Sequence, residues 1–162
     1  MPRLSPAIGL LALALTASCW IEDRTPAGSR QDEGAIRAIL REYYQSVSDG
    51  DWIALRALFS PGATVAVPDR TIEGRTVFTA GVLPVDSALS VVRRTLANLN
   101  AVRFEGRMLR ADVRQHGDIA AVWVTADERL VLPTDSTLQR EVVEHFTLRR
   151  SAGRWSIVSA AW

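Results

Sequence analysis

The stretch YYQSVSDGDWIALRALFSPGATVAVP, residues 43–68, holds the end of one helix, the whole of a second and the start of a strand. Asp49-Gly50 ends the first helix, because glycine adopts the left-handed backbone conformation that follows many helices. Asp51 is suited to cap a second helix from Trp52 to Phe59, since its carboxylate can accept hydrogen bonds from the first turn. The stretch therefore predicts two helices joined by a tight turn.

The residues before this turn predict the first helix, from about Asp32 to Ser48. Apolar side chains recur there at intervals of three and four residues, which places them on one helix face. We expect that face to pack on the core. Its members are Ile36, Ile39, Leu40, Tyr43 and Val47.

Downstream of the stretch, strand and helix signals alternate. Ser60-Pro61-Gly62 stops the second helix, and Ala63 to Val67 predicts a short strand that ends at Pro68. A second short strand is predicted at Ile72 to Phe78. A third helix is predicted at Asp86 to Asn98, where Asp86 can serve as the cap.

The rest of the chain has a hydrophobic period of two, which is typical of strands with one buried face. Strands are predicted at 101–114, 118–132, 138–149 and 154–161, with turn residues between them. The arginines of the first segment also fit a helical stripe, but Gly106 favours a bulged strand. We expect these arginines on a solvated face of the sheet.

Helices followed by a run of antiparallel strands indicate an α+β fold. We expect three N-terminal helices to cover the concave face of one curved, mainly antiparallel sheet. Without the first 18 residues the chain has 144 residues, enough for one domain with its own core. This domain is predicted to span residues 32–162.

The N-terminal residues predict export. Ala7 to Ala17 is an uncharged, mostly apolar run of 11 residues, too short to span a bilayer. Leu15-Thr16-Ala17-Ser18-Cys19 resembles a lipobox, the motif at which bacterial lipoproteins are cleaved and lipidated. The resemblance implies a signal peptide at 1–18, a lipid on Cys19, and a tether at 19–31.

Composition narrows the partners. The chain has no lysine, and without Arg3 the 18 remaining arginines balance 18 acidic residues. Nucleic-acid binders carry a basic excess, so no nucleic-acid partner is expected. The membrane is the expected partner, through lipidated Cys19. An aspartate after the cysteine often retains such lipoproteins at the inner membrane, and this chain has Trp20 there. We therefore expect the outer membrane, with the domain facing the periplasm.

Metal and cofactor motifs are not apparent in the sequence. The two histidines, His116 and His145, are far apart, and the single cysteine is Cys19, so no ligand set with metal-binding spacing is recognisable. No glycine-rich phosphate loop is present. We therefore expect neither a metal nor a cofactor.

The stretch quoted above, with Gly74-Arg75 after it, resembles the opening of the nuclear transport factor 2-like superfamily, which includes SnoaL-like proteins and ketosteroid isomerase. GRWSIVSAAW at 153–162 resembles the last strand of that superfamily, and Gly117-Asp118-Ile119-Ala120 resembles its central hairpin. The resemblance covers residues 32–162 and implies a cone-shaped fold with a pocket between helices and sheet. It specifies no reaction, because isomerases, dehydratases and binding modules share this fold.

Two side chains are candidates for hydrogen bonding in such a pocket. The resemblance puts Tyr43 where ketosteroid isomerase keeps its oxyanion-hole tyrosine; the alternative is a core tyrosine bonded locally. Glu144 lies on an apolar strand face, where desolvation would raise its pKa. The resemblance places Glu144 at the isomerase's protonated acid, although an ungapped alignment would place His145 there. The alternative is an ion pair between Glu144 and an arginine such as Arg140.

Val67 argues against isomerase chemistry. It stands where the resemblance requires the proton-shuttling aspartate, and an isopropyl group cannot carry a proton. Asp69 is close in sequence but lies beyond the proline, in an expected loop. The pocket wall is expected to comprise Phe59, Val67, Trp123 and Phe146, with core packing as the alternative role for the tryptophan.

These residues favour a binding domain over an enzyme. We expect a cell-envelope lipoprotein whose pocket binds a small apolar or carbonyl-bearing ligand, or a protein partner, without assigned catalysis. One alternative is an isomerase, dehydratase or hydrolase that uses Tyr43 and Glu144. The other is a structural module that forms homodimers through the sheet face.

The lipobox makes a direct prediction about Cys19. Its replacement by serine is expected to abolish labelling of the protein with a fatty-acid analogue and to release it from the membrane fraction, because the thiol is the site of acylation. Replacement of Ser18 by alanine keeps a small residue before the cysteine and serves as the control. Acyl labelling that persists in Cys19→Ser would contradict the lipoprotein interpretation.

Overall fold

Three helices and eight strands follow one another along residues 27–68, 70–72, 75–78, 80–113 and 117–162, which are those that the computed structural model describes. In order they are α1 (Ala27–Asp49), α2 (Trp52–Ala57), β1 (Phe59–Val67), β2 (Arg70–Ile72), β3 (Arg75–Phe78), β4 (Gly81–Pro84), α3 (Val85–Leu96), β5 (Ala101–Val113), β6 (Ile119–Val131), β7 (Thr137–Ser151) and β8 (Arg154–Ala161). The predicted signal peptide, Cys19, Asp69 and His116 lie outside the described residues. Within the described ranges, no helix has the length and apolar character needed to cross a bilayer.

One six-stranded sheet forms the body of the fold, in the order β4-β1-β8-β7-β6-β5. All neighbours are antiparallel except β1 and β8, which run parallel. This confirms the predicted α+β class and the four C-terminal strands. The single strand predicted at Ile72 to Phe78 is wrong: β2 and β3 pair with each other as a separate two-stranded sheet.

Helix α1 begins at Ala27, five residues before the predicted start, so residues 27–31 belong to a helix and not to a tether. The side chain of Asp32 explains why this part of the helix is held against the domain. Its Oδ1 accepts from Arg150 Nη1 at 2.7 Å and from Trp155 Nε1 at 3.2 Å. These two hydrogen bonds fix the first turns of α1 to the hairpin of β7 and β8.

The turn after α1 has the predicted chemistry. Gly50 has φ 69°, and the Asp51 carboxylate accepts from the N–H of Ala54 at 2.9 Å, which caps α2. Helix α2 ends at Ala57, and Phe59 already belongs to β1, where it pairs with Ile157 of β8. The helix is shorter than predicted because the sheet register captures Phe59.

The apolar face of α1 packs on the concave side of the sheet, next to the even-numbered residues of β6 and β7. Val122, Val124 and Phe146 are fully buried there. Strand β5 is confirmed as a strand, but its irregularity lies between Met108 and Arg110 and not at Gly106. Gly106 has another role: a Cβ at this position would overlap the ring of Tyr44. The missing side chain lets this ring lie directly on the backbone of β5.

Replacing Gly106 by alanine is expected to lower the free energy of unfolding by about 1–3 kcal/mol, the usual cost of overpacking a core. The added methyl group would push the Tyr44 ring off β5. Urea denaturation measures the change. Gly34→Ala in α1 is the matched control, because a Cβ there meets nothing within 4 Å and alanine favours a helix by up to about 1 kcal/mol. Equal stability of the two variants would contradict this account of Gly106.

Candidate functional site

A cavity of about 40 Å³ lies between the helices and the concave face of the sheet. A cavity needs on the order of 10–15 Å³ to hold one water molecule, so this one has room for only a few water molecules or for the end of a larger molecule. Its wall is mainly apolar, with a few polar groups. The lining residues are Tyr43, Tyr44, Val47, Leu55, Leu89, Val92, Thr95, Leu96, Phe104, Glu128, Leu130, Glu144 and Trp162.

A short polar contact in this wall joins Tyr44 to Glu144. The Tyr44 hydroxyl donates to Glu144 Oε2 at 2.5 Å, and both residues are at most 5% exposed. An O–H to carboxylate hydrogen bond of this length is charge-assisted and stronger than one between neutral groups. It connects α1 to β7 and fixes the orientation of a buried carboxyl at the cavity.

A second buried carboxyl, Glu128, lies on the same face of the sheet. Its Oε2 accepts from Arg140 Nε at 2.5 Å. In the register of β6 and β7, Glu128 faces Arg140 and Val124 faces Glu144, with the pair of Ala126 and Val142 between them. The arginine that was the alternative partner of Glu144 therefore pairs with Glu128, while Glu144 accepts from a tyrosine.

Tyr43 is buried in a group of aromatic rings. Its ring meets those of Tyr44, Phe146 and Phe59 edge to face, at centroid distances of 5.0, 5.1 and 6.2 Å. Burial raises the pKa of the Tyr43 hydroxyl well above its usual value, and the negative charge of Glu144 raises it further. At neutral pH this phenol is therefore a proton-bearing hydrogen-bond donor.

Trp162 supplies a second donor beside Tyr43. Its backbone N–H donates to the carbonyl of Ala66 at 3.2 Å, which holds the end of the chain on β1. Its indole N–H is close enough to the Tyr43 phenol to lower that pKa against the effect of burial, but it is not in hydrogen-bonding geometry. Within the described residues, the buried Nε1 of Trp162 has no hydrogen-bond partner.

Burial also raises the pKa of the Tyr44 hydroxyl, and the charge of Glu144 and the hydrogen bond to it act in the same direction. Ionising either tyrosine would create a phenolate in an apolar site next to a carboxylate. Both phenols therefore keep their protons across the physiological range.

Of the predicted pocket residues, the structure brings Tyr43 and Glu144 to one cavity. Phe59, Val67 and Phe146 are buried in the core but do not line this cavity. Val67, which stands where the resemblance requires an aspartate, is therefore part of the core and not of the cavity wall.

Trp123 requires a correction. It alternates with buried Val122 and Val124, so its side chain lies on the opposite face of the sheet. There its ring packs against His145 at a centroid distance of 4.9 Å, with the guanidinium of Arg110 at 5.9 Å. It therefore contributes to the outer face and not to the pocket.

Sequence reasoning missed Tyr44 and Glu128. Adjacent helix residues are about 100° apart, so a helix covered on two sides buries both Tyr43 and Tyr44. The signal for Glu128 was present in the strand pattern, because it alternates in phase with Val122, Val124 and Ala126.

Among the described residues, no cluster of three or more histidine, cysteine or acidic side chains is arranged to hold a metal ion.

Comparison with known proteins identifies a family. The model of a family described as "SnoaL-like domain" matches residues 36–161. No functionally curated protein matches the chain in sequence. The family match spans all the elements that form the cavity except the first turns of α1 and the last residue.

Solved structures share the fold at low sequence identity. A conserved protein from Planctomyces limnophilus aligns with a TM-score of 0.68 and 13% identity, over 82% of this chain and 95% of that one. A hexachlorocyclohexane dehydrochlorinase, LinA-type3 from Novosphingobium barchaimii, aligns with 0.65 and 13%, over 82% and 85%. A domain of unknown function with a cystatin-like fold from Nostoc punctiforme aligns with 0.58 and 18%, over 81% and 75%. These identities establish the cone-shaped nuclear transport factor 2-like fold alone.

The two tyrosines of the chain predict its behaviour in alkali. Both pKa values are raised above the usual value of 10.0, so the folded chain keeps phenolic protons that the unfolded chain loses. Stability should be unaffected by these groups below about pH 10 and should fall as the pH rises above it. Tyrosinate absorbance at 295 nm is expected to appear together with unfolding, followed by circular dichroism. Tyrosinate formation in a chain that is still folded would contradict the burial of both hydroxyls.

Proposed function

This chain belongs to the SnoaL-like domain family, and we propose that its cavity binds a small, largely apolar molecule through a carbonyl oxygen. The mainly apolar wall suits a hydrocarbon body, and the polar groups of Tyr43, Glu144 and Trp162 are part of the same wall. Because the cavity is only about 40 Å³, it accommodates the carbonyl end of a ligand and not a large ring system.

The observation that carries this proposal is the buried indole N–H of Trp162 beside the Tyr43 hydroxyl. A buried donor without a partner costs about 1–3 kcal/mol, and within the described residues the Trp162 N–H has none. An oxygen that accepts from both groups would recover this energy on binding. A ketone, aldehyde or ester oxygen has two lone pairs and suits two such donors.

A second candidate is an enzyme that moves a proton next to the bound carbonyl. The observation that favours it is the buried carboxyl of Glu144 in the same wall, oriented by Tyr44. In this case Glu144 would accept a proton from the carbon next to the carbonyl, while Tyr43 and Trp162 stabilise the enolate oxygen. Some solved structures with this fold are dehydrochlorinases, which is compatible with such chemistry but does not assign it.

The lipid anchor and the homodimer remain proposals beside the pocket. If Cys19 carries a lipid, the seven residues between it and the start of α1 at Ala27 reach at most about 25 Å. The domain would then work close to the outer-membrane surface on the periplasmic side.

A second copy, or another protein, would find exposed apolar surface at Val143, which is 63% exposed on the outer sheet face near Trp123 and His145.

Binding of heptan-2-one, compared with 2-methylhept-1-ene, tests the carbonyl proposal. The two probes have the same shape, and only the ketone has an oxygen that accepts hydrogen bonds. We expect the ketone to bind more tightly, and Tyr43→Phe and Trp162→Phe each to weaken it about fivefold, the loss of about 1 kcal/mol for one hydrogen bond. Titration calorimetry measures this. Equal affinity for both probes would refute recognition of the carbonyl.

The same ketone in deuterated water separates the two candidates. Exchange of the hydrogens on the carbons next to the carbonyl, followed by NMR and abolished in Glu144→Gln, would establish the enzyme. Binding of the ketone without exchange of these hydrogens would support a binding domain and exclude the enzyme.

A further inference from the structure

We propose that the groove between α2 and α3 is the entrance to the cavity and holds an anionic end of the ligand, so that the ligand is an oxo-carboxylate. This inference rests on the proposed function, because it assigns the other end of the molecule whose carbonyl lies at Tyr43 and Trp162. The groove has a volume of about 380 Å³. Its wall is formed by Trp52, Ile53, Arg56, Asp86, Leu89, Ser90 and Arg93.

Leu89 connects the two spaces. Its side chain lines the inner cavity and also the outer groove, and it is 6% exposed. Helix α2 is arranged in the same way, since Leu55 faces the cavity while Trp52 and Ile53 face the groove. A rotation of the Leu89 side chain between staggered rotamers would therefore join the groove to the cavity.

A ligand longer than a few atoms does not fit inside the cavity. The cavity of about 40 Å³ holds the carbonyl end, and the remaining carbon chain must leave it. Leu89 is the part of its wall that borders a space ten times larger. The exposed side chain of Ile53, 87% accessible, and the partly buried Trp52 offer apolar surface for such a chain.

Charge selects the end group. Arg56 Nε donates to Asp86 Oδ1 at 2.5 Å, so these two groove residues neutralise each other. Arg93 lines the same groove and makes no ion pair with any described residue. The formal charge of the groove residues is therefore positive by one unit, which favours an anion. A carboxylate suits a single exposed guanidinium, because it can accept two parallel hydrogen bonds.

The test uses the (ω−1)-oxo acids from 6-oxoheptanoate to 11-oxododecanoate, each compared with the methyl ketone of the same length. We expect at least one acid of the series to bind the full chain roughly twofold to fivefold more tightly than its ketone, since an exposed ion pair contributes up to about 1 kcal/mol. The gain should shrink as salt is added. Arg93→Gln should remove it, and Arg94→Gln, a neighbouring arginine on α3 that does not line the groove, should leave it.

The outcomes separate this inference from the proposed function. The groove assignment alone would be overturned if the ketones bind but no acid of the series binds more tightly than its ketone. It would also be overturned if the gain in affinity survives Arg93→Gln. Acids whose affinity depends on Arg93 but not on Tyr43 or Trp162 would overturn the carbonyl assignment alone. If neither series binds, both are wrong. Arg93 and Arg94 are both exposed on α3, so Arg93→Gln and Arg94→Gln do not disturb the core.

Discussion

The hydrogen bond from Tyr44 to Glu144 is the interaction on which the cavity depends. It connects two residues that are 100 positions apart in sequence and fixes α1 over β7 at the depth of the cavity. Two other features make it possible. Gly106 leaves space for the Tyr44 ring on β5, and Asp32 holds the start of α1 to the last hairpin through Arg150 and Trp155.

The cavity combines a negative side with a donor side. Glu128 is neutralised by Arg140, and Glu144 accepts from Tyr44, so each buried carboxyl has at least one hydrogen-bond donor. Burial raises the pKa of both tyrosines and the charge of Glu144 raises it further, so both keep their protons as donors. The same wall therefore contains a carboxyl that can accept a proton and two groups, Tyr43 and Trp162, that can stabilise a developing oxyanion. This arrangement supports binding of a carbonyl compound and is also compatible with proton transfer.

The position of α3 relates the inner cavity to the surface. Leu89 lies between the cavity and the outer groove, and Arg93 follows one turn later along the same helix. A helix places residues four positions apart on one face, so an apolar wall residue and a charged groove residue align along the path of a single ligand. Specificity for an extended, acidic ligand would then come from α3, while the carbonyl end is recognised by α1 and the last residue of the chain.

The sequence by itself determined the α+β class, the helix cap at Asp51 and the four C-terminal strands, because these depend on local propensity and periodicity. For the same reason it determined the apolar face of α1 that contains Tyr43 and the apolar face of β7 that contains Glu144. It also carried the resemblance to the nuclear transport factor 2-like superfamily. The prediction placed Trp123 in the pocket and left out Glu128, although the alternation along β6 already indicated the face on which each lies. It left out Tyr44 because the burial of that ring depends on the packing of α1 against β5. Only the tertiary structure decided the partners of the buried carboxyls, and spacing along the chain does not show them. Glu128 meets Arg140 through the pairing of β6 with β7, and Tyr44 meets Glu144 because α1 packs over β7.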